Sequence, residues 1–196
     1  MPQATSDPQL FLHIRVLISL IVGLGLTRLL IGVARIIQHP GKTPMYWVHL
    51  GWVLWMFLAL VHFWWWEFRL VHLHQWKFIY YIFIIFYVTL YFLLSTLLFP
   101  DNMDEYASYR DYFVSRRKWF FGLLATTFVL DIGDTLLKGR EYFDSFGIEY
   151  PLRNATHVIL CLVAMKTGNL RFQAIFMVLA LVYQLSWILR LFETIS

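Results

Sequence analysis

Two aspartates lie three positions apart in an apolar run: Asp131 and Asp134, between Trp119 and Leu137. If this run is helical, the spacing places both carboxylates on one face of the helix. Two neighbouring carboxylates in a low-dielectric environment do not both ionise unless a cation lies beside them. The pair could relay a proton or a small monovalent cation, or it could form a buried ion pair that fixes helix packing. Arg190 or Arg15 could supply the cation.

Histidines at the ends of other apolar runs provide further titratable groups. His62 and His157 could extend a relay from the aspartates, and Arg28 adds a charge inside the first apolar run. Alternatively, His62 with His157 or His13 could ligate haem in a redox protein, and a quinone is a second possible cofactor of that class. The apolar runs contain no His-x-x-x-His or Glu-x-x-His pair, so the sequence assigns no metal.

The composition determines the class of protein in which these groups must work. Of 196 residues, 60% are hydrophobic and 14% are charged, and the mean hydropathy is +0.62. Soluble domains are about half apolar and about a quarter charged. A soluble enzyme, a disordered chain and a collagen-like fibre are therefore excluded, and an integral membrane protein remains. Because the P-loop, nucleophile-elbow and zincin motifs are all missing, the sequence does not predict an enzyme.

Six apolar stretches could each cross a bilayer core, which needs about 20 residues of helix. The prediction is an all-α, polytopic transmembrane helical bundle that forms one transmembrane domain over residues 1–196. Tyr106, Tyr109 and Phe113 recur at helical spacing in segment 104–118, which predicts an amphipathic helix lying in the membrane interface. The predicted spans are 10–37, 45–66, 78–99, 119–137, 155–166 and 172–192, of which the fifth is short enough to be a re-entrant segment.

Six crossings would place both chain termini on one face of the membrane, here called side A, opposite side B. Both aspartates and Arg190 then belong to the half of the bundle nearest side A. By helical rise, Arg28 lies about 13 Å from side B and Asp131 about 10 Å from side A, so no direct bond between them is expected. Five of the seven histidines fall in the side-A half as well: His13, His62, His72, His74 and His157.

In a membrane protein, a net charge of +4 indicates how the chain is oriented across the membrane. It does not indicate binding to nucleic acid, which is not expected as a partner. Lysines and arginines are divided almost evenly between the two faces, but the cluster Arg116, Arg117 and Lys118 favours side B as cytoplasmic. Ser19, Gly23 and Thr27 form a small-residue stripe on the first helix, which is typical of close helix approach and indicates a homo-oligomer in the lipid bilayer.

Four segments together resemble small, uncharacterised bacterial inner-membrane proteins: 23–35, 46–50, 63–67 and 115–122. The resemblance implies an inner-membrane location and supplies no site residues. The leading functional hypothesis is an oligomeric channel or transporter for protons or a small monovalent cation. The alternatives are a haem- or quinone-binding redox protein and an accessory subunit of a larger membrane complex.

Overall fold

The computed structural model describes residues 8–73 and 76–191. Two residues used in the sequence analysis lie outside these ranges. They are His74, which was counted among the side-A histidines, and Phe192, the last residue of the sixth predicted span. The described chain is all helical, with α-helices and one 3₁₀ helix, Glu67–His72. The α-helices are α1 Pro8–Gln38, α2 Trp47–Trp66, α3 Phe78–Leu98, α4 Tyr109–Leu137, α5 Arg140–Ser145, α6 Glu149–Lys166 and α7 Leu170–Leu191.

Five of these helices are long and apolar enough to cross a membrane: α1, α2, α3, α4 and α7. This supports the prediction of an integral membrane helical bundle. α6 has 18 residues and so extends about 27 Å at 1.5 Å per residue. It does not meet the same standard of apolarity, because Arg153, Asn154 and His157 interrupt its apolar residues.

Contacts at the helix ends and in the loops that join them show which helix ends lie at the same end of the bundle. The Tyr109 backbone N–H donates to the Pro44 carbonyl at 3.2 Å, which joins the α1–α2 and α3–α4 connections at the end facing side B. At the other end, the Lys138 ammonium lies 2.9 Å from a Glu67 carboxylate oxygen. The start of α6 also lies there, because Glu149 pairs with Arg190 near the end of α7. α6 therefore connects the two ends of the bundle.

The core of the side-B half is a cluster of aromatic rings around Trp52 on α2. Its ring centroid lies 5.5 Å from that of Phe120, 5.4 Å from that of Phe121 and 5.2 Å from that of Phe176, all in edge-to-face geometry. Each such pair adds about 0.5–1.5 kcal/mol beyond the burial of its area. This half of the protein is thus filled with apolar side chains from α2, α4 and α7.

The interfacial helix predicted over 104–118 is wrong. α4 begins at Tyr109 and continues without a break to Leu137, and Ser108 caps its start by accepting a hydrogen bond from the Asp111 backbone N–H at 3.1 Å. Phe113 is only 2% exposed and belongs to the core. A helix facing a protein core and a helix lying on a membrane have the same apolar periodicity, so the pattern alone did not distinguish them.

Candidate functional site

The carboxylate of Asp131, on α4, accepts hydrogen bonds from four side chains. Its Oδ2 lies 2.7 Å from the Tyr150 hydroxyl, 3.1 Å from Arg153 Nη2 and 3.0 Å from Asn154 Nδ2. Its Oδ1 accepts from the Tyr87 hydroxyl on α3 at 3.2 Å. Hydrogen bonds with a charged partner are stronger than neutral ones, so these donors hold the carboxylate between α3 and α6.

The start of α6 builds most of this shell. Tyr150, Arg153 and Asn154 occupy its first two turns, and both Tyr150 and Asn154 are fully buried. The Tyr150 hydroxyl also lies 2.6 Å from Thr135 Oγ1 and 2.8 Å from the backbone carbonyl of Asp131. A tyrosine hydroxyl has one proton to donate, so this group can switch donors and acceptors within the network.

Asp134 belongs to a second, adjoining cluster with Lys138 and Glu67. The Lys138 ammonium lies 2.5 Å from Asp134 Oδ2 and 2.9 Å from Glu67 Oε1, and the three side chains are 5% exposed or less. The second oxygens of both carboxylates, Glu67 Oε2 and Asp134 Oδ1, are buried and accept no hydrogen bond within the described chain. Two buried carboxylates here share one ammonium.

A cavity of about 30 Å³ lies between α2, α3, α4, α6 and α7 beside Asp131. His62, Arg153 and Gln184 contribute polar groups to its wall, and the Gln184 side-chain amide lies 3.2 Å from His62 Nδ1. A water molecule needs at least about 10–15 Å³ of such space, so this cavity can hold one or two. It is far too small for a haem or a quinone.

His157 and His13 lie apart from this cavity wall. His157 Nδ1 donates to the Arg153 carbonyl at 2.8 Å, and the His157 ring lies 4.5 Å from that of Phe128. His13 is exposed in a groove beside Lys77 at the start of α3. The structure therefore brings His62 next to Asp131 but does not bring the three candidate haem ligands together. Among residues 8–73 and 76–191, no group of three His, Cys, Asp or Glu could hold a metal ion.

The cations assigned to the aspartates from the sequence are wrong. Arg190 forms an exposed ion pair with Glu149 at 2.6 Å, and the Arg15 guanidinium lies over the rings of Trp64 and Phe68. The actual partners are Arg153 for Asp131 and Lys138 for Asp134. Arg153 was missed because α6 begins at Glu149, six residues before the predicted span at 155.

Arg28 lies near side B and takes no part in this site. It pairs with Asp101 and donates to the Phe99 carbonyl at 3.0 Å, so it closes α1 against the end of α3. The expectation that depth separates Arg28 from Asp131 is confirmed.

The i, i+4 spacing of Asp134 and Lys138 was a signal in the sequence that could have identified the second ion pair.

No protein-family model, curated protein or solved structure matches this chain.

Proposed function

We propose that the protein is a proton channel or transporter of the bacterial inner membrane, that it crosses the membrane six times, and that it works as a homo-oligomer. The observation that supports this most is the balance of buried charge in the side-A half. Three carboxylates, on Glu67, Asp131 and Asp134, face two cations, on Lys138 and Arg153. Ionisable side chains inside a membrane are costly and usually mark an ion or proton path.

The unequal count gives the cluster a proton-binding capacity. If all five groups are ionised, one negative charge is uncompensated in a region of low dielectric, which is strongly unfavourable. A single proton removes that charge. Glu67 Oε2 and Asp134 Oδ1, which accept no hydrogen bond within residues 8–73 and 76–191, are atoms on which it can reside.

A proton suits this site better than sodium or potassium does. A bound metal cation needs several oxygen ligands and is repelled by neighbouring positive charge. At Asp131, the guanidinium of Arg153 lies 3.1 Å from Oδ2, and three neutral donors already occupy the remaining directions. We therefore assign protons as the cargo and set aside the monovalent-cation form of the hypothesis.

Hydroxyl groups continue from Asp131 toward side B along α3. The Tyr87 hydroxyl lies 3.4 Å from that of Tyr91. Ser95 follows one helical turn further on the same face. Beyond it, the ring of His49 is hydrogen-bonded to the Leu98 carbonyl at 2.6 Å. Between Tyr91 and His49, the described residues form no continuous chain of hydrogen bonds. Proton conduction through this gap therefore requires that water enters it or that the protein adopts a second conformation.

A homo-oligomer would cover an open face of α1. On α1, Gly23 has no neighbouring atom within 4 Å of where a Cβ would lie. The flanking residues Leu20 and Leu24 are 60% and 59% exposed. Small and apolar residues on an uncovered helix face are typical of helix pairing in membranes.

Proton flux into proteoliposomes tests the proposal. With a pH-sensitive dye inside the vesicles and an imposed proton gradient, we expect flux from the wild type and background flux from Asp131→Asn. Asp144→Asn is the matched control, because Asp144 is 58% exposed and pairs with an exposed arginine on α5; it should retain full flux. If Asp131→Asn is monodisperse and conducts like the control, Asp131 has no part in transport.

A further inference from the structure

A basic hollow opens at side B where the first residues of α2, α4 and α7 meet. Its volume is about 580 Å³. Two arginines line it, Arg110 from the first turn of α4 and Arg171 from the first turn of α7. Pro44, Tyr46, Trp47 and Ser108 form half of the remaining lining residues, and no aspartate or glutamate contributes to the lining.

The two arginines are available to an external anion. Both are exposed, and neither forms an ion pair or a side-chain hydrogen bond within the described residues. By contrast, Arg153 and Lys138 at the other end of the bundle are held by carboxylates at 3.1 Å or less. The positive charge at the hollow is therefore not neutralised by the protein itself.

The start of α2 adds hydrogen-bond donors to the wall of the hollow. α2 begins at Trp47 without a capping side chain, so its first backbone N–H groups have no partner inside the helix. Uncapped amides at a helix start favour an anion, because the helix dipole adds partial positive charge there.

The surroundings indicate that this anion belongs to a lipid. Met45 and Trp47, on the rim of the hollow, are 64% and 58% exposed. Exposed tryptophan beside basic side chains is typical of the headgroup layer of a bilayer, where apolar surface meets the start of the acyl chains. A free phosphate ion would leave these apolar groups uncovered.

We propose that the hollow between α2, α4 and α7 binds the phosphodiester headgroup of an anionic phospholipid from the side-B leaflet. Arg110 and Arg171 contact the phosphate oxygens, the first α2 amides donate to the same group, and the acyl chains lie against Met45 and Trp47. This site is separate from the charge cluster at side A and does not depend on proton transport.

Native mass spectrometry of the full chain in detergent tests the lipid site, with phosphatidylglycerol and phosphatidylcholine as the probes. We expect phosphatidylglycerol to remain bound to the wild type while phosphatidylcholine at the same concentration does not. Each arginine replaced should weaken this binding roughly fivefold, since a basic side chain near an anionic lipid surface contributes about 1 kcal/mol. The variant Arg110→Gln/Arg171→Gln should therefore lose most of the bound lipid.

The matched control is Lys77→Gln/Arg140→Gln, which removes two exposed cations from the opposite end and should bind phosphatidylglycerol like the wild type. Equal binding by the two double variants would overturn the proposal, as would equal retention of phosphatidylcholine. A third arm adds inorganic phosphate as competitor, and displacement of the lipid at equal concentration would show a free-phosphate site instead. All the substituted side chains are exposed, so the fold should survive each change.

Discussion

Lys138 is the residue on which the buried charge balance depends most. Its ammonium contacts two carboxylates, and its side chain has no exposed surface. Removing one partner of a buried ion pair costs about 3–5 kcal/mol, because the remaining charge stays buried without compensation. We expect Lys138→Met to lower the free energy of unfolding by about that amount, measured by denaturation in detergent.

Two comparisons make the Lys138 prediction specific. Lys77→Met removes an exposed lysine and should change stability by less than about 0.5 kcal/mol. Adding Glu67→Gln and Asp134→Asn to Lys138→Met makes both carboxyl positions neutral and should restore much of the loss. A Lys138→Met protein as stable as the Lys77→Met protein would show that the ammonium does not compensate the two acids.

The Tyr150 hydroxyl links Asp131 to Thr135, and its loss leaves buried acceptors unsatisfied. We expect Tyr150→Phe to destabilise the protein by about 1–3 kcal/mol, measured in the same detergent assay. Tyr80→Phe is the control, because Tyr80 lies in the first turn of α3, outside the Asp131 network. Equal stability of the two variants would contradict a structural role for the Tyr150 hydroxyl.

At the residue scale, the sequence identified the aspartates but not their partners. Asp131 and Asp134 stand out because they are charged residues in an apolar run. Arg153 and Glu67 do not stand out, because each lies at the edge of its run, where a charged side chain is ordinarily solvated. Only the folded arrangement shows that α6 turns Arg153 inward, where it is 9% exposed.

At the scale of helices, close approach of α1 and α3 depends on Gly32. A Cβ at this position would overlap the ring of Phe99, which packs edge-on against His49. Overpacking of this kind costs about 1–3 kcal/mol, so Gly32→Ala should lower the unfolding temperature. Gly122→Ala on α4 is the control, because a Cβ there would meet only the Met165 side chain at an ordinary contact distance of 3.5 Å. If Gly122→Ala destabilised the protein more than Gly32→Ala, the α1–α3 contact would not be as described.

The helix boundaries show what periodicity can and cannot predict. The predicted bounds of the first three spans differ from those of α1, α2 and α3 by two residues or fewer. In α4 and α6 the predicted starts are too late, by ten and six residues. Both errors arise where charged and aromatic residues alternate. Such residues lower the local hydropathy, yet Tyr109 and Tyr150 are buried against neighbouring helices.

For the whole molecule, the proposed function requires six crossings of the membrane, of which α6 makes the fifth. This crossing is the one to test, because α6 connects the two ends of the bundle although it is less apolar than the other long helices. If α6 crosses the bilayer, α5 faces side A and the α6–α7 connection faces side B. If α6 stays on one face, the two segments are on the same side.

Cysteine accessibility in oriented membrane vesicles tests this arrangement most directly. The native Cys161 is fully buried and would first be replaced by alanine. Single cysteines are then introduced by Asp144→Cys on α5 and Gly168→Cys between α6 and α7, and treated with a membrane-impermeant thiol reagent. If α6 crosses the membrane, the reagent labels the two positions from opposite faces, which is the result we expect. Labelling of both from the same face would contradict the six-crossing bundle and the charge cluster placed in its side-A half.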